Sequence, residues 1–289
     1  MTHWKKLVNS VEIETGVYQG NLDTGLPVVF AKTEHGELWI SLFGGQVLSY
    51  IPKDGLERFW LSQNSKLDQI APIRGGVPIC WPWFGAREGG PNHGFARTAS
   101  WKLDQVKVGI TSTRITLVLS DEVFRPSYWP EGYELQLDVE LGQQLTLTLT
   151  CHNCGLSPWS FSAALHSYFR VDNTTETMIC GAGTRYHDKL IGQTSIGQAQ
   201  FAPVPPLDRI YTHPDDTIEI KVNQACSWNL EQQGHDASVI WHPGPKMPSD
   251  MSQMDADQML CVETAALGAQ QSGIILVPGE AYQLIQRIR

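Results

Sequence analysis

Along much of this chain apolar and polar residues alternate strictly. Arg114-Ile115-Thr116-Leu117-Val118-Leu119, Glu134-Leu135-Gln136-Leu137-Asp138-Val139-Glu140-Leu141 and Gln144-Leu145-Thr146-Leu147-Thr148-Leu149-Thr150 each put every second side chain on one apolar face, and Glu37-Leu38-Trp39-Ile40-Ser41-Leu42-Phe43 does so more loosely. Successive side chains of an extended strand point to opposite sides, so this period predicts strands with one buried face. Gly142-Gln143 between two such runs predicts a tight hairpin. Further strands are predicted over 159–171, 217–222, 238–241, 259–263 and 282–288. Helical periodicity is nearly absent. The one weak helical prospect, 121–128, contains Pro126, which lacks the N–H that a helix interior requires.

Many strands joined by Gly, Pro and Asn clusters, with no shift of composition and no repeat, predict an all-β sandwich or barrel in one domain over 1–289. A chain with 42% hydrophobic and 18% charged residues can bury a substantial core. Its formal net charge of -9 argues against non-specific nucleic-acid binding, while Arg74, Arg87 and Arg97 leave room for a local basic pocket. The N-terminus has no apolar leader and no segment has the length of a membrane span, so a cytoplasmic protein is expected, free of nucleic acid and membrane. The six cysteines are scattered and read as free thiols. Cys151-His152-Asn153-Cys154 has the spacing of half a zinc site, but it ends an alternating run and has no second Cys-x-x-Cys. It reads as strand-end sequence, and no metal is expected.

One stretch departs from the alternation. Ala71-Pro-Ile-Arg-Gly-Gly-Val-Pro-Ile-Cys-Trp-Pro-Trp-Phe-Gly85, followed by Asn92-His93-Gly94-Phe95-Ala96-Arg97, mixes Gly, Pro and Trp with arginine and histidine. Such a segment suits a shaped loop: glycines admit close approach of backbone, tryptophans offer flat faces, and guanidinium forks match an oxyanion such as a sugar phosphate. A lone Arg-Gly-Gly would read as an ordinary surface connection. Two strand segments carry titratable groups among apolar neighbours. His166, in Leu165-His166-Ser167-Tyr168-Phe169, reads as a satisfied core histidine or an acid/base group; Glu263, in Cys261-Val262-Glu263-Thr264, as a salt-bridged or functional carboxylate. Pro203-Val204-Pro205-Pro206 leads into Asp208-Arg209-Ile210-Tyr211 and predicts a rigid loop presenting Asp208.

Taken in order, Arg74-Gly75-Gly76-Val77-Pro78, Trp81-Pro82-Trp83-Phe84-Gly85, His93-Gly94-Phe95-Ala96-Arg97, Leu165 to Phe169, Asp208 to Tyr211 and Cys261 to Thr264 resemble the hexose-6-phosphate mutarotases, or glucose-6-phosphate 1-epimerases, relatives of aldose 1-epimerase. The resemblance runs from about Glu37 to the C-terminus. It implies a galactose-mutarotase-like antiparallel β-supersandwich with an open sugar groove, and a cofactor-free interconversion of the α and β anomers of an aldohexose 6-phosphate. It further implies that His166 protonates the ring oxygen and Glu263 removes the anomeric proton, with Arg74 and Arg97 on phosphate or sugar, His93 on a hydroxyl, Asp208 as a hydroxyl acceptor and Asn92 as a further contact. A monomer acting on a small sugar phosphate is expected. The segment 246–255 matches the family poorly and is placed at one rim of the groove. A β-sandwich with ten tryptophans would also suit a non-catalytic carbohydrate-binding protein. The His166 and Glu263 motifs together weigh against it, because binding alone needs no acid/base pair.

Overall fold

The computed structural model describes residues 4–223, 227–252 and 256–289; Cys226 and positions 253–255 of the rim segment lie outside the described residues. The three strict alternations form neighbouring strands, Thr113–Ser120, Tyr133–Leu141 and Leu145–Asn153, inside a nine-stranded sheet. Along Tyr133–Leu141 the odd-numbered residues are buried and the even-numbered ones half-buried, as a period of two demands. Truncating one of these buried leucines to alanine would cost about 2–5 kcal/mol.

A second, eight-stranded sheet faces the first. Its spatial order is Gln193–Ile196, Arg185–Asp188, Leu207–Tyr211, Ala237–His242, Met259–Ala266, Ala163–Leu165 and Ile79–Cys80, with Tyr168–Arg170 also pairing to Met259–Ala266. Leu135, Leu147 and Leu284 of the first sheet share one apolar core with Leu165, Ile240 and Val262 of the second. A five-stranded meander from Leu7 to Pro52 contributes Val29, Leu38 and Ile40 to the same core. The pairings within these sheets are antiparallel. No helix among the described residues is long and apolar enough to cross a membrane.

Several local expectations are corrected. The 142–143 hairpin has a three-residue connection, because Leu141 pairs with Leu145 and the Gly142 N–H donates to Gln144 O at 3.1 Å. Residues 121–128 form turns rather than a helix. The single strand expected over 159–171 is three: Trp159–Phe161 pairs with Ile274–Leu276, Ala163–Leu165 enters the eight-stranded sheet, and Tyr168–Arg170 resumes beside Met259–Ala266. Between the last two, the Ser167 N–H bonds to Leu165 O at 3.0 Å and closes a tight turn. That break was invisible in a continuous apolar run. Asp208 sits within Leu207–Tyr211, a strand rather than a loop, and Glu263 lies inside Met259–Ala266 rather than at its end.

Candidate active site

Strand register brings the site together. Asp208, Trp241 and Cys261 share one rung of the eight-stranded sheet, and Ile210, Val239 and Glu263 share the rung two residues away, so all six face the same side. Glu263 is paired with Val239 on one flank, lies opposite the break between Leu165 and Tyr168 on the other, and is 1% exposed. The break after Leu165 delivers His166 to the same side: its backbone N–H donates to Pro78 O at 3.0 Å, and its ring stacks on Tyr168 with centroids 4.8 Å apart. His166 Nε2 lies 3.3 Å from Glu263 Oε1. His166 Nδ1 and Glu263 Oε2 are buried with no hydrogen-bond partner among the described residues.

The loop of special residues builds one wall. Gly94, at φ +69°, lies so close to Trp81 that a Cβ would fall 2.0 Å from the Trp81 carbonyl oxygen, so glycine alone fits there. The preceding His93 is also left-handed, at φ +62°, and reciprocal bonds hold it: its N–H donates to Gly85 O at 2.7 Å and Gly85 N–H donates to His93 Nδ1 at 3.2 Å. Burial, followed by the charges of Arg97, Lys189 and Arg74, pushes the His93 pKa down to about 3. The ring is neutral at pH 7, and because Nδ1 accepts, its proton resides on Nε2. His93 is thus a hydrogen-bond donor to the cleft.

These residues surround a cleft of about 510 Å³ whose lining includes Arg74, Asn92, His93, His166, Asp208 and Glu263. Arg74 donates from Nε to Asp250 Oδ2 at 3.0 Å and from Nη1 to the Tyr168 hydroxyl at 3.0 Å. Burial opposes the Arg74 charge, but Tyr168 and Asp250 outweigh it and raise its pKa. Pro248 lines the cleft and Asp250 holds Arg74, so these two residues stand at its rim. Arg97 does not line the cleft: Nη2 donates to Asn92 O at 2.7 Å, and Nε is buried with no hydrogen-bond partner among the described residues. Arg87 is elsewhere, its guanidinium 4.6 Å from the Trp83 ring centroid. The three arginines therefore do not form one pocket.

The second cation of the cleft is one that sequence reasoning missed. Lys189 follows the Arg185–Asp188 strand; its N–H donates to Asp208 O at 2.8 Å and its Nζ lies 3.2 Å from Asp208 Oδ2. Tyr168 was within reach, lying inside the His166 motif, whereas a lysine in an exposed turn carries no signal. The tryptophans also differ from expectation. Trp81, Trp129 and Trp159 pack edge to face in the core, and Trp241 is the one indole lining the cleft.

Burial sets the protonation of the central pair. It lowers the His166 pKa well below the usual histidine range, with His93, Arg97 and Arg74 adding to the effect. It raises Glu263 well above the usual carboxylate range; Asp208 reinforces this, and Lys189 and Arg97 oppose it. The neutral forms of both are favoured, so the pair tends toward neutral His166 beside protonated Glu263. Burial works against an imidazolium and a carboxylate here, because taking two charges out of water is costly. Such a pair holds one labile proton and can accept one at one atom while giving one at another.

Comparison with known proteins places the chain in a family. The family model described as "Aldose 1-epimerase" matches residues 28–289. The chain is 31% identical over 261 residues to the "Putative glucose-6-phosphate 1-epimerase" of Salmonella typhimurium, covering 85% of each chain. It is 32% identical over 235 residues to the protein of the same description in Escherichia coli K12, covering 78% of each. A crystal structure described as a "putative mutarotase" from Salmonella typhimurium superposes with a TM-score of 0.90 at 26% identity, over 98% of this chain and 96% of that one. A large antiparallel β fold, a histidine–carboxylate pair in an open cleft and a match over nearly the whole chain lead to one conclusion: this chain belongs to the aldose 1-epimerase family and is a sugar mutarotase, an isomerase.

Proposed function

We propose that the chain interconverts the α and β anomers of an aldohexose 6-phosphate, with glucose 6-phosphate the foremost candidate, and that His166 and Glu263 carry the proton transfers. The observation that carries this reading is the 3.3 Å separation of His166 Nε2 and Glu263 Oε1 in the cleft. In a cyclic sugar the ring oxygen and the anomeric hydroxyl are bonded to the same carbon. An acid and a base that serve both must therefore stand side by side.

Ring opening takes the proton from the anomeric hydroxyl to Glu263 and gives one from His166 to the ring oxygen. The C1 carbonyl forms as the bond from C1 to the ring oxygen breaks. Rotation about C1–C2 exposes the other carbonyl face, and the reversed transfers close the ring to the other anomer. Proton number is conserved: the pair's one labile proton passes from Glu263 to His166 before opening, so the closed sugar faces imidazolium and carboxylate, and the open aldehyde faces neutral imidazole and carboxylic acid. Burial favours the second arrangement, by the causes given above. The same low-polarity setting that makes the ion pair costly draws the proton toward the ring-opened state. His93, as a neutral donor, and Asp208, held by Lys189, are suited to hydroxyls of the sugar.

Phosphate is favoured by charge. On a chain of net charge -9 the cleft presents Arg74 and Lys189, with Arg97 close enough to depress His93. Each is paired with a carboxylate, Arg74 with Asp250 and Lys189 with Asp208, and their remaining N–H groups suit a phosphate better than a neutral hexose. The test follows anomer interconversion of glucose 6-phosphate, glucose and galactose, with spontaneous mutarotation subtracted and buffer kept dilute. A marked preference for the phosphorylated sugar is expected. Equal turnover of glucose and glucose 6-phosphate would remove the phosphate from the reading and leave the proton transfers standing.

A further inference from the structure

Behind the His166–Glu263 pair, in the core shared by the two large sheets, lies a seam of buried polar side chains. Gln286, in the Ala281–Ile288 strand of the nine-stranded sheet, reaches across to the eight-stranded sheet. Its Oε1 accepts a hydrogen bond from the Ser167 hydroxyl at 2.6 Å, and its Nε2 donates to Thr264 Oγ1 at 3.1 Å. Gln286, Ser167 and Thr264 are each 0% exposed. Beside Gln286 in register, Gln232 accepts from the Ser238 hydroxyl at 2.9 Å, and Ser238 is the strand partner of Thr264.

Each hydroxyl bound by Gln286 belongs to the residue after a member of the central pair. Ser167 follows His166 and Thr264 follows Glu263. Thr264 and Glu263 are successive in a strand, so the carboxylate faces the cleft while the hydroxyl faces the other sheet. At Ser167 the strand is interrupted, so the position of His166 is not fixed by a continuous ladder. Backbone bonds at this break are few: His166 N–H to Pro78 O, Ser167 N–H to Leu165 O, and Val262 N–H to Ser167 O at 3.1 Å. One planar amide with an acceptor at one corner and a donor at the other ties the two segments together at a fixed spacing. Apolar side chains of similar volume would fill this core at no cost in polar burial, so packing alone does not account for a glutamine, a serine and a threonine here.

We infer that Gln286 is a positioning residue for the reaction: by clamping Ser167 and Thr264 from behind, it sets the separation and alignment of His166 and Glu263. This rests on the His166–Glu263 reading above. A displacement of about 1 Å in a reacting group can cost on the order of a hundredfold in rate, which is the sensitivity such a clamp addresses.

The test uses the full-length chain and the glucose 6-phosphate anomerisation assay, with glucose as second substrate. Gln286→Met keeps the length and removes both bonds; kcat is expected to fall about ten- to a hundredfold with KM changed less than about twofold, since no group that lines the cleft is altered. Gln286→Glu supplies the discriminating readout. Protonated, its carboxyl accepts from Ser167 and donates to Thr264, restoring the clamp; ionised, it cannot donate. Its kcat is therefore expected to approach wild type at low pH and to fall as pH rises, a new limb that a loss of core packing alone would not produce. If Gln286→Met does not fold, Ser167→Ala removes one anchor of the clamp and is expected to give the same split of kcat from KM. Wild-type kcat in both Gln286→Glu across the pH range and Ser167→Ala would overturn the inference. Parallel assays of Glu263→Gln and His166→Asn separate the two ways of failing: full activity in those variants defeats the acid/base reading, whereas their inactivity beside fully active clamp variants defeats the clamp alone.

Discussion

His166 Nε2 and Glu263 Oε1 face one another across 3.3 Å, one from a break between strands and the other from the middle of a strand in the same sheet. The carboxylate is carried by a strand residue paired with Val239, and the imidazole is held by stacking on Tyr168 and edge contact with Trp241. Rigidity at one partner and rotation-limiting contacts at the other give a pair whose proton can move without rearrangement of the backbone.

The pair's protonation predicts the direction in which each limb of the pH profile is displaced. From the single-proton state, adding a proton requires charging His166, whose pKa burial lowers, and removing the last one requires ionising Glu263, whose pKa burial raises. The acidic limb of kcat/KM therefore belongs below the ordinary histidine range and the basic limb above the ordinary carboxylate range, and both limbs titrate the pair as a unit. A profile measured from pH 4 to 10 checks this. Glu263→Gln and His166→Asn are each expected to lose at least about a hundredfold in kcat. An acidic limb within the ordinary histidine range, or a basic limb within the ordinary carboxylate range, would contradict the low-polarity environment.

Substrate charge gives a second set of outcomes. Arg74→Ala and Lys189→Ala each remove a cation of the cleft, and losing one charge-assisted contact to phosphate costs about 1.5–3 kcal/mol, roughly ten- to a hundredfold in kcat/KM. The loss is expected for glucose 6-phosphate and should be smaller for glucose. Arg97→Gln is expected to have the smaller effect on that ratio, because its guanidinium is engaged by Asn92 O and does not line the cleft. Equal losses on both sugars would assign Arg74 to holding Asp250 and Tyr168 rather than phosphate.

Legibility of the sequence followed local pattern. Strands with one buried face, such as Tyr133–Leu141, announce themselves by period. Leu7–Glu14 does not: it is a mostly exposed edge strand, and no alternation is needed where neither face is covered. The candidate site residues Arg74, His93, His166, Asp208 and Glu263 stood in distinctive motifs and converge on one cleft. Lys189 and Asp250 did not stand out, because each acts through a partner distant in sequence, Asp208 and Arg74 respectively. The tryptophans misled for a related reason. A Trp-rich loop reads alike whether its rings face a sugar or, as with Trp81, the core.

The left-handed His93–Gly94 corner yields a structural prediction. A Cβ at Gly94 would meet the Trp81 carbonyl oxygen and would also sit at φ +69°, so Gly94→Ala must shift the loop. Destabilisation of about 1–3 kcal/mol is expected, together with a raised KM, since His93 moves with its neighbour. Thermal or urea unfolding alongside steady-state kinetics checks both. A Gly94→Ala variant with unchanged stability and KM would show that the corner relaxes without consequence.

Stability should depend on pH with opposing contributions from the same site. His93 and His166 have folded pKa values below about 6.5, the unfolded value, the first at about 3. Below that pH each takes up a proton in the unfolded chain that the folded chain refuses, so the stability they confer is present above about pH 6.5 and is lost as pH falls. Glu263 acts in reverse: its folded pKa is raised, so above about pH 4.3 the folded state keeps a proton that the unfolded state releases, and stability declines as pH rises through that window. Each proton contributes a slope of at most about 1.4 kcal/mol per pH unit. Between about pH 4.5 and 6.5 the two histidines thus outweigh the carboxylate, and His235 and His242, also depressed by burial, add to the histidine side in every variant. Glu263→Gln removes the opposing contribution and should steepen the loss of stability on acidification by up to about 1.4 kcal/mol per pH unit, whereas His93→Asn should flatten it by up to the same amount. Urea unfolding of the three proteins at pH 7, 6 and 5 gives the slopes. Parallel curves for wild type and Glu263→Gln would mean that Glu263 is ionised in the folded resting protein, and the neutral-pair account of the site would fall with that result.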